Sequence, residues 1–187
     1  MSSQTPNELT TIIKGYTDGA LQNVHTALPG TVVSYDAGSG KASVQPAGKW
    51  KGDDGQEVAY PVIHNIPVLF PCGAGGTAGM TFPLHAGDGC LLVFSESQTD
   101  DFLSGSDVSE DPRRHDLNDA ICLPGLYNRP VAGNAFPGDV CVYNGGCMMR
   151  VGAGGITVTG GDLVVNGISV TQHTHRGDSG GTTGKPQ

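Results

Sequence analysis

A chain of 187 residues has room for one domain with appendages or for two small ones. Its 30 glycines and 12 prolines approach low-complexity levels, but 37% hydrophobic residues in short alternating runs argue against simple disorder. A formal charge of −8, from 18 acidic and 10 basic residues, argues against nucleic acid as the main partner.

At the N-terminus, MSSQTPNELTTII lacks the basic-then-apolar order of a secretory signal, so none is expected. No later stretch is long and apolar enough for a transmembrane helix. Residues 5–24 read as one helix: Thr5 caps it, Pro6 suits the first helical position, and Glu8 completes a capping box with Thr5. Leu9, Ile12, Ile13, Tyr16 and Ala20 recur at helical spacing and form one apolar stripe, which needs a surface to pack against in this chain or a neighbour. Gly15 and Gly19 weaken the helix by up to about 1 kcal/mol each relative to alanine.

From about residue 24 to residue 124 the period becomes strand-like. TVVSY and KASVQ flank residues 36–40 as a hairpin. In VAYPVIHNIPVLF, Pro61 and Pro67 place the segment on a sheet edge or divide it into two strands. GCLLVFS is the most apolar strand and DAICLP closes the series. Five or six short strands with polar loops predict a small closed or partly open barrel. An acidic loop spans residues 96–118, with Asp100, Asp101, Asp107, Glu110 and Asp111.

The last third changes character, with no aromatic residue after Tyr143. GGITVTGGDLVVNGISVTQ reads as short strands punctuated by glycine, in which Ile156 and Val158, Leu163 and Val165, and Ile168 and Val170 each point one way. Strands so short cannot bury a core within one chain, so this third is expected to be built by several chains together.

Enzyme signatures are missing: there is no GxSxG, HExxH, Walker A loop, or GxGxxG after a strand. The glycine-rich segment 73–79 lacks the Lys-Ser/Thr of a phosphate cradle and reads as a flexible barrel loop. His85 with Asp88, and His115 with Asp116 and Asp119, read as solvated turn residues. Cys72, Cys90, Cys122, Cys141 and Cys147 are odd in number and form no CxxC, which fits small buried thiols rather than a disulfide framework or a zinc site.

One constellation stands apart, His173-Thr174-His175. In an extended strand both imidazoles face the same side. Two imidazoles make a metal site only where further ligands converge, and nearby sequence supplies none. Three chains about a three-fold axis would supply six nitrogens, an octahedral set suited to a first-row transition metal such as Fe(II). The polar tail after it is either frayed or a compact tip of small residues held by the metal.

Together these segments resemble the central spike, or membrane-puncturing, proteins of contractile-tailed bacteriophages. The resemblance is carried by LPGTVVSYDAGSGKASVQP, PVLFPCGAGG, TFPLHAGDGCLLVFSESQTDDF and RRHDLNDAICLPGL, and by the glycine-rich strands ending in HTH. It implies a mainly β protein: an N-terminal helix (1–24), an OB-fold domain (25–126), a neck (127–146), an intertwined triple-stranded β-helix (147–172) formed by a homotrimer, and an apex (173–187). It further implies that His173 and His175 of each chain bind one iron (Fe2+) per trimer. The implied role is structural and non-enzymatic: a spike at the baseplate tip of the virion, made in the host cytoplasm, that pierces the host outer membrane when the tail contracts. Its expected partners are hub or tail-tube proteins of the baseplate and that membrane, with no direct nucleic-acid binding. The competing reading is an OB-type oligosaccharide binder or a wall-degrading tail-tip module, which barrel and spike leave little room for in this chain.

Overall fold

The computed structural model describes residues 7–22, 24–52, 55–107, 111–127 and 138–186, and the chain divides into two compact units, 1–130 and 131–187. In the first unit, helix α1 spans Glu8–Gln22. Thr5 and Pro6, the expected cap, lie outside the described residues. Asn7 precedes the first turn, and its Oδ1 accepts a hydrogen bond from Leu9 N at 3.4 Å. The stripe forms as expected, and Leu9, Ile12, Ile13 and Tyr16 are all exposed.

Nine strands follow among the described residues of this unit. β1 (Ala27–Asp36) and β2 (Lys41–Pro46) form the expected hairpin. Asp36 builds the turn by accepting Gly38 N at 3.0 Å and Ser39 Oγ at 2.6 Å. The Ser39 hydroxyl first, and the Gly38 amide next, hold its carboxyl below the usual carboxylate range. Gly40 closes the turn at φ 68°, a left-handed conformation that glycine adopts without penalty. β3 (Lys49–Lys51) and β4 (Glu57–Ala59) make a separate exposed hairpin. Pro61 separates β4 from β5 (Ile63–Pro67). The glycine-rich segment, expected as a flexible loop, is a miniature hairpin of β6 (Cys72–Gly73) and β7 (Ala78–Gly79) around a 3-10 turn.

β8 (Gly89–Phe94) and β9 (Ala120–Pro124) complete a five-stranded sheet of order β5-β2-β1-β8-β9, antiparallel throughout. The outermost strands turn toward each other: Val68, just past β5, bridges Cys122 in parallel, and Leu69 N donates to Cys122 O at 2.9 Å. The alternation of β2 and β8 sends Ala42, Val44, Cys90, Leu92 and Phe94 into a core with Val32, Ile63, Ile66, Ala120 and Cys122. Gly30 lets β2 approach β1, since a Cβ there would sit 2.7 Å from Val44 Cγ1 and 3.4 Å from Cys90 Sγ.

Two expectations are corrected here. Buried thiols are found at Cys90 and Cys122, whereas Cys72 and Cys147 are exposed in the chain. The hydrogen bond with Cys90, reinforced by burial, pushes the Cys122 thiol up. Asp119 is not a solvated turn residue: it is 1% exposed, at the end of a 3-10 turn (Leu117–Asp119), with Oδ1 accepting from Thr99 N at 2.8 Å and Thr99 Oγ1 at 3.1 Å. Arg113 lies 3.7 Å from its other oxygen and also binds Asp100 and Asp111. Thr99, Asp100, Asp111 and Arg113 of the acidic loop thus gather around a buried carboxylate, with helix α2 (Asp100–Ser104) between them.

In the second unit, β10 (Val140–Asn144), β11 (Cys147–Gly152) and β12 (Gly155–Thr159) form an antiparallel meander. β10 lies inside the range expected as a neck. Register aligns Val140, Val151 and Ile156 in one row and Val142, Met149 and Val158 in the next, so a single face carries six apolar side chains. β13 (Val164–Val165) and β14 (Ile168–Ser169) follow as a hairpin around Asn166-Gly167. Both turn residues have positive φ, 49° and 81°, as a two-residue primed turn requires. None of residues 138–186 is buried.

Candidate functional site

The histidine pair sits where β14 ends and the chain turns back. Asp162 organises this turn: it accepts from the Ser169 hydroxyl, from Thr171 N at 3.3 Å and from Thr171 Oγ1 at 3.0 Å. The Ser169 hydroxyl first, then Thr171, holds the Asp162 carboxyl below its ordinary range. Ser169 Oγ accepts in turn from Gln172 N at 2.8 Å, and Lys185 reaches back to the Gln172 side-chain oxygen. The backbone is therefore fixed immediately before the first histidine.

His173 N donates to Ser169 O at 3.2 Å, and its ring Nδ1 lies 2.7 Å from the same carbonyl. A carbonyl can only accept, so Nδ1 carries the proton and Nε2 is left with its lone pair. His175 is held through its backbone: its N–H donates to Thr183 Oγ1 at 2.8 Å and its carbonyl accepts from Thr183 N at 2.9 Å. Arg176 bridges Thr182, and Gly177 N donates to Gly181 O at 2.7 Å, so the polar tail folds back on itself as a compact hairpin. A Cβ at Gly177 would stand 3.2 Å from the Gly181 carbonyl oxygen, which keeps that position small.

The sequence reading placed both histidines on one face of a strand. They lie instead in an irregular segment between a turn and the Arg176 bridge. The structure nevertheless brings the rings together, edge to face at 89° with centroids 5.1 Å apart. Among the described residues, no group of three or more histidine, cysteine or acidic side chains converges as a metal set. One chain thus offers two ligands. That donor set still suits a transition metal, because an imidazole whose Nδ1–H is fixed on a carbonyl presents Nε2 ready to ligate.

The other histidines singled out lie elsewhere. His85 is exposed at a turn, where its N–H donates to Asp88 Oδ2 at 2.7 Å. His115 is half-buried, contrary to its reading as a solvated residue. Sequence reasoning missed Asp162 and Ser169, whose roles depend on a turn that brings together residues seven apart. The only available signal was an aspartate after paired glycines.

A family model described as the N-terminal domain of phage protein Gp138 matches residues 28–125, just over half of the chain. A second, described as the GpV apex motif, matches residues 167–187 and so contains both histidines. No curated protein matches the chain.

Proposed function

The chain belongs to the phage central-spike family marked by the Gp138 N-terminal domain, and from that premise we propose that it is a non-enzymatic, trimeric tail spike with a metal-tied apex. The observation that carries this reading is the ordered pair of matches, a Gp138 domain followed at the C-terminus by a GpV apex around His173 and His175. In this reading the first unit is an OB-type barrel serving as a docking platform for other baseplate proteins. The antiparallel order β5-β2-β1-β8-β9 and the parallel bridge from Val68 to Cys122 support it.

The second unit supplies the shaft. Its six-residue apolar face and the lack of any buried side chain among its described residues suit a core completed by two further copies, as an intertwined triple-stranded β-helix. At the apex, His173 and His175 from three chains would hold one iron, which supplies a crosslink between chain ends that otherwise fray. Ser169 and Thr183 orient the two residues, and the small side chains of 177–184 keep the tip narrow. Sheath contraction provides the force, the narrow apex concentrates it on the host outer membrane, and the shared core resists unfolding.

The test is solution mass and metal content on one sample. The expected result is three times 19.2 kDa with one iron per three chains. A stable, folded monomer overturns the trimer. A metal-free trimer overturns the site and leaves the spike standing.

A further inference from the structure

A cavity of about 550 Å³ in the first unit is lined by His25, His64, Arg114, His115, Asp116 and Asn118, among others. The lining groups converge from separate parts of the sequence. His25 precedes β1 and packs its ring against Phe94 and Tyr60, with centroids 5.6 and 5.8 Å away. His64 lies on β5 with Nδ1 3.0 Å from Ser43 Oγ. The remainder come from the segment leading into β9.

Two features of the lining favour negative charge, those of Arg114 and His115, and one carboxylate opposes it. Arg114 is fixed by one guanidinium nitrogen to the carbonyls of Asp111 and Arg113, both at 2.7 Å; the Asp111 carboxylate feels its charge but makes no direct ion pair with it. Asp116 is the single carboxylate of the lining and opposes an anion, an effect tempered by Asn118 N and Nδ2, which both donate to its Oδ1 at 2.8 Å. His115 has a left-handed backbone, φ 51°, and a buried Nδ1 with no partner among the described residues. Both features of His115 are unfavourable alone, and strain of this kind persists where a site needs the group. A cation is disfavoured by the guanidinium and by the lack of a converging ligand set among the described residues.

We propose that this cavity binds a small oxyanion, a carboxylate or a phosphate, with Arg114 and His115 as principal donors and His25 and His64 flanking them. Imidazole and guanidinium N–H groups can all donate to such an ion, and the charged guanidinium gives the stronger bond.

Histidine ring resonances of the full chain, titrated separately with inorganic phosphate and with acetate at fixed pH and ionic strength, test this. The expected result is saturable shifts at His25, His64 and His115, with the exposed His85 unmoved. Arg114→Gln should weaken binding by roughly 10-fold or more. His115→Asn should do the same while keeping the backbone, because asparagine tolerates the left-handed region. Lys49→Gln, on the β3–β4 hairpin, should change nothing, and an intact amide spectrum certifies each variant's fold. The tighter-binding ion identifies the source as phosphate or carboxylate. Shifts that fail to saturate, that chloride reproduces, or that survive in both cavity variants mean an adventitious ion only, and overturn the site.

Discussion

A metal ligand must present a lone pair, and at His173, a ligand of the proposed apex site, the Ser169 carbonyl secures one by holding the proton on the opposite nitrogen. Replacing His173 and His175 together by alanine should therefore abolish metal binding and loosen residues 173–186 in hydrogen exchange. The five-stranded sheet should be untouched, because its core of Val32, Leu92 and Cys122 is built entirely from residues of the first unit. If the proposed apex holds a metal, acidification should release it, since protons compete for the ligating nitrogen, and metal retained on the filter at descending pH reads this directly. Asp162 behaves differently. Its folded carboxyl is held below the ordinary range, so the stability it contributes is fully present above about pH 4 and is lost as pH falls through the folded value. Protection of the Thr171 amide should follow that course, and Asp162→Asn should make it insensitive to acid over the same window. A wild-type profile that stays flat down to the acid limit would show that the Ser169 and Thr171 bonds do not organise the turn.

Among the elements, what was legible in the sequence was what repeats locally. The β1–β2 hairpin could be read because short valine-containing runs flank an Asp-Ala-Gly-Ser-Gly turn, and β8 because GCLLVF has no competing pattern. The closure of β5 on β9 was not legible, because it depends on a single bridge between residues 54 apart, Val68 and Cys122. Asp119 was misread for the same reason: its burial depends on Arg113 and Thr99, and nothing in the local pattern announces either. Of the candidate site, the histidine pair was visible and its support was not. Element packing yields its own prediction at Gly30, where β1 lies against both β2 and β8. Gly30→Ala drives a methyl into Val44 Cγ1 and should destabilise the first unit by about 1–3 kcal/mol in urea unfolding, the usual cost of overpacking a filled core. Gly15→Ala, on the exposed helix with open space around it, should instead be neutral or stabilising by up to about 1 kcal/mol. Equal effects at the two positions would contradict the packing described.

For the whole molecule, the decisive contrast is between what one chain exposes and what an assembly would cover. Ile156 is 68% exposed and stands in a row with Val140, 70% exposed, and Val151, 42% exposed, across the β10–β12 meander. If the chain acts alone, Ile156→Asp is a surface change and should alter stability by no more than about 0.5 kcal/mol. If three chains share this face, the substitution places three carboxylates in a common core. Each loses an aliphatic burial of about 1.5–3 kcal/mol and adds an unpaired buried charge beside two others of the same sign. The trimer should then fail to form, and light scattering should report chains that are monomeric or aggregated through the uncovered strands. Lys49→Asp provides the control, because the β3–β4 hairpin lies in the first unit and its exposed side chains have no part in that core. The wild-type assembly should also unfold slowly and resist SDS without boiling, since separating interwound strands breaks many ladder bonds at once. An Ile156→Asp protein that keeps the trimer mass and the same slow unfolding would remove the meander face from the proposed shaft core and leave the spike without the interface that holds it together.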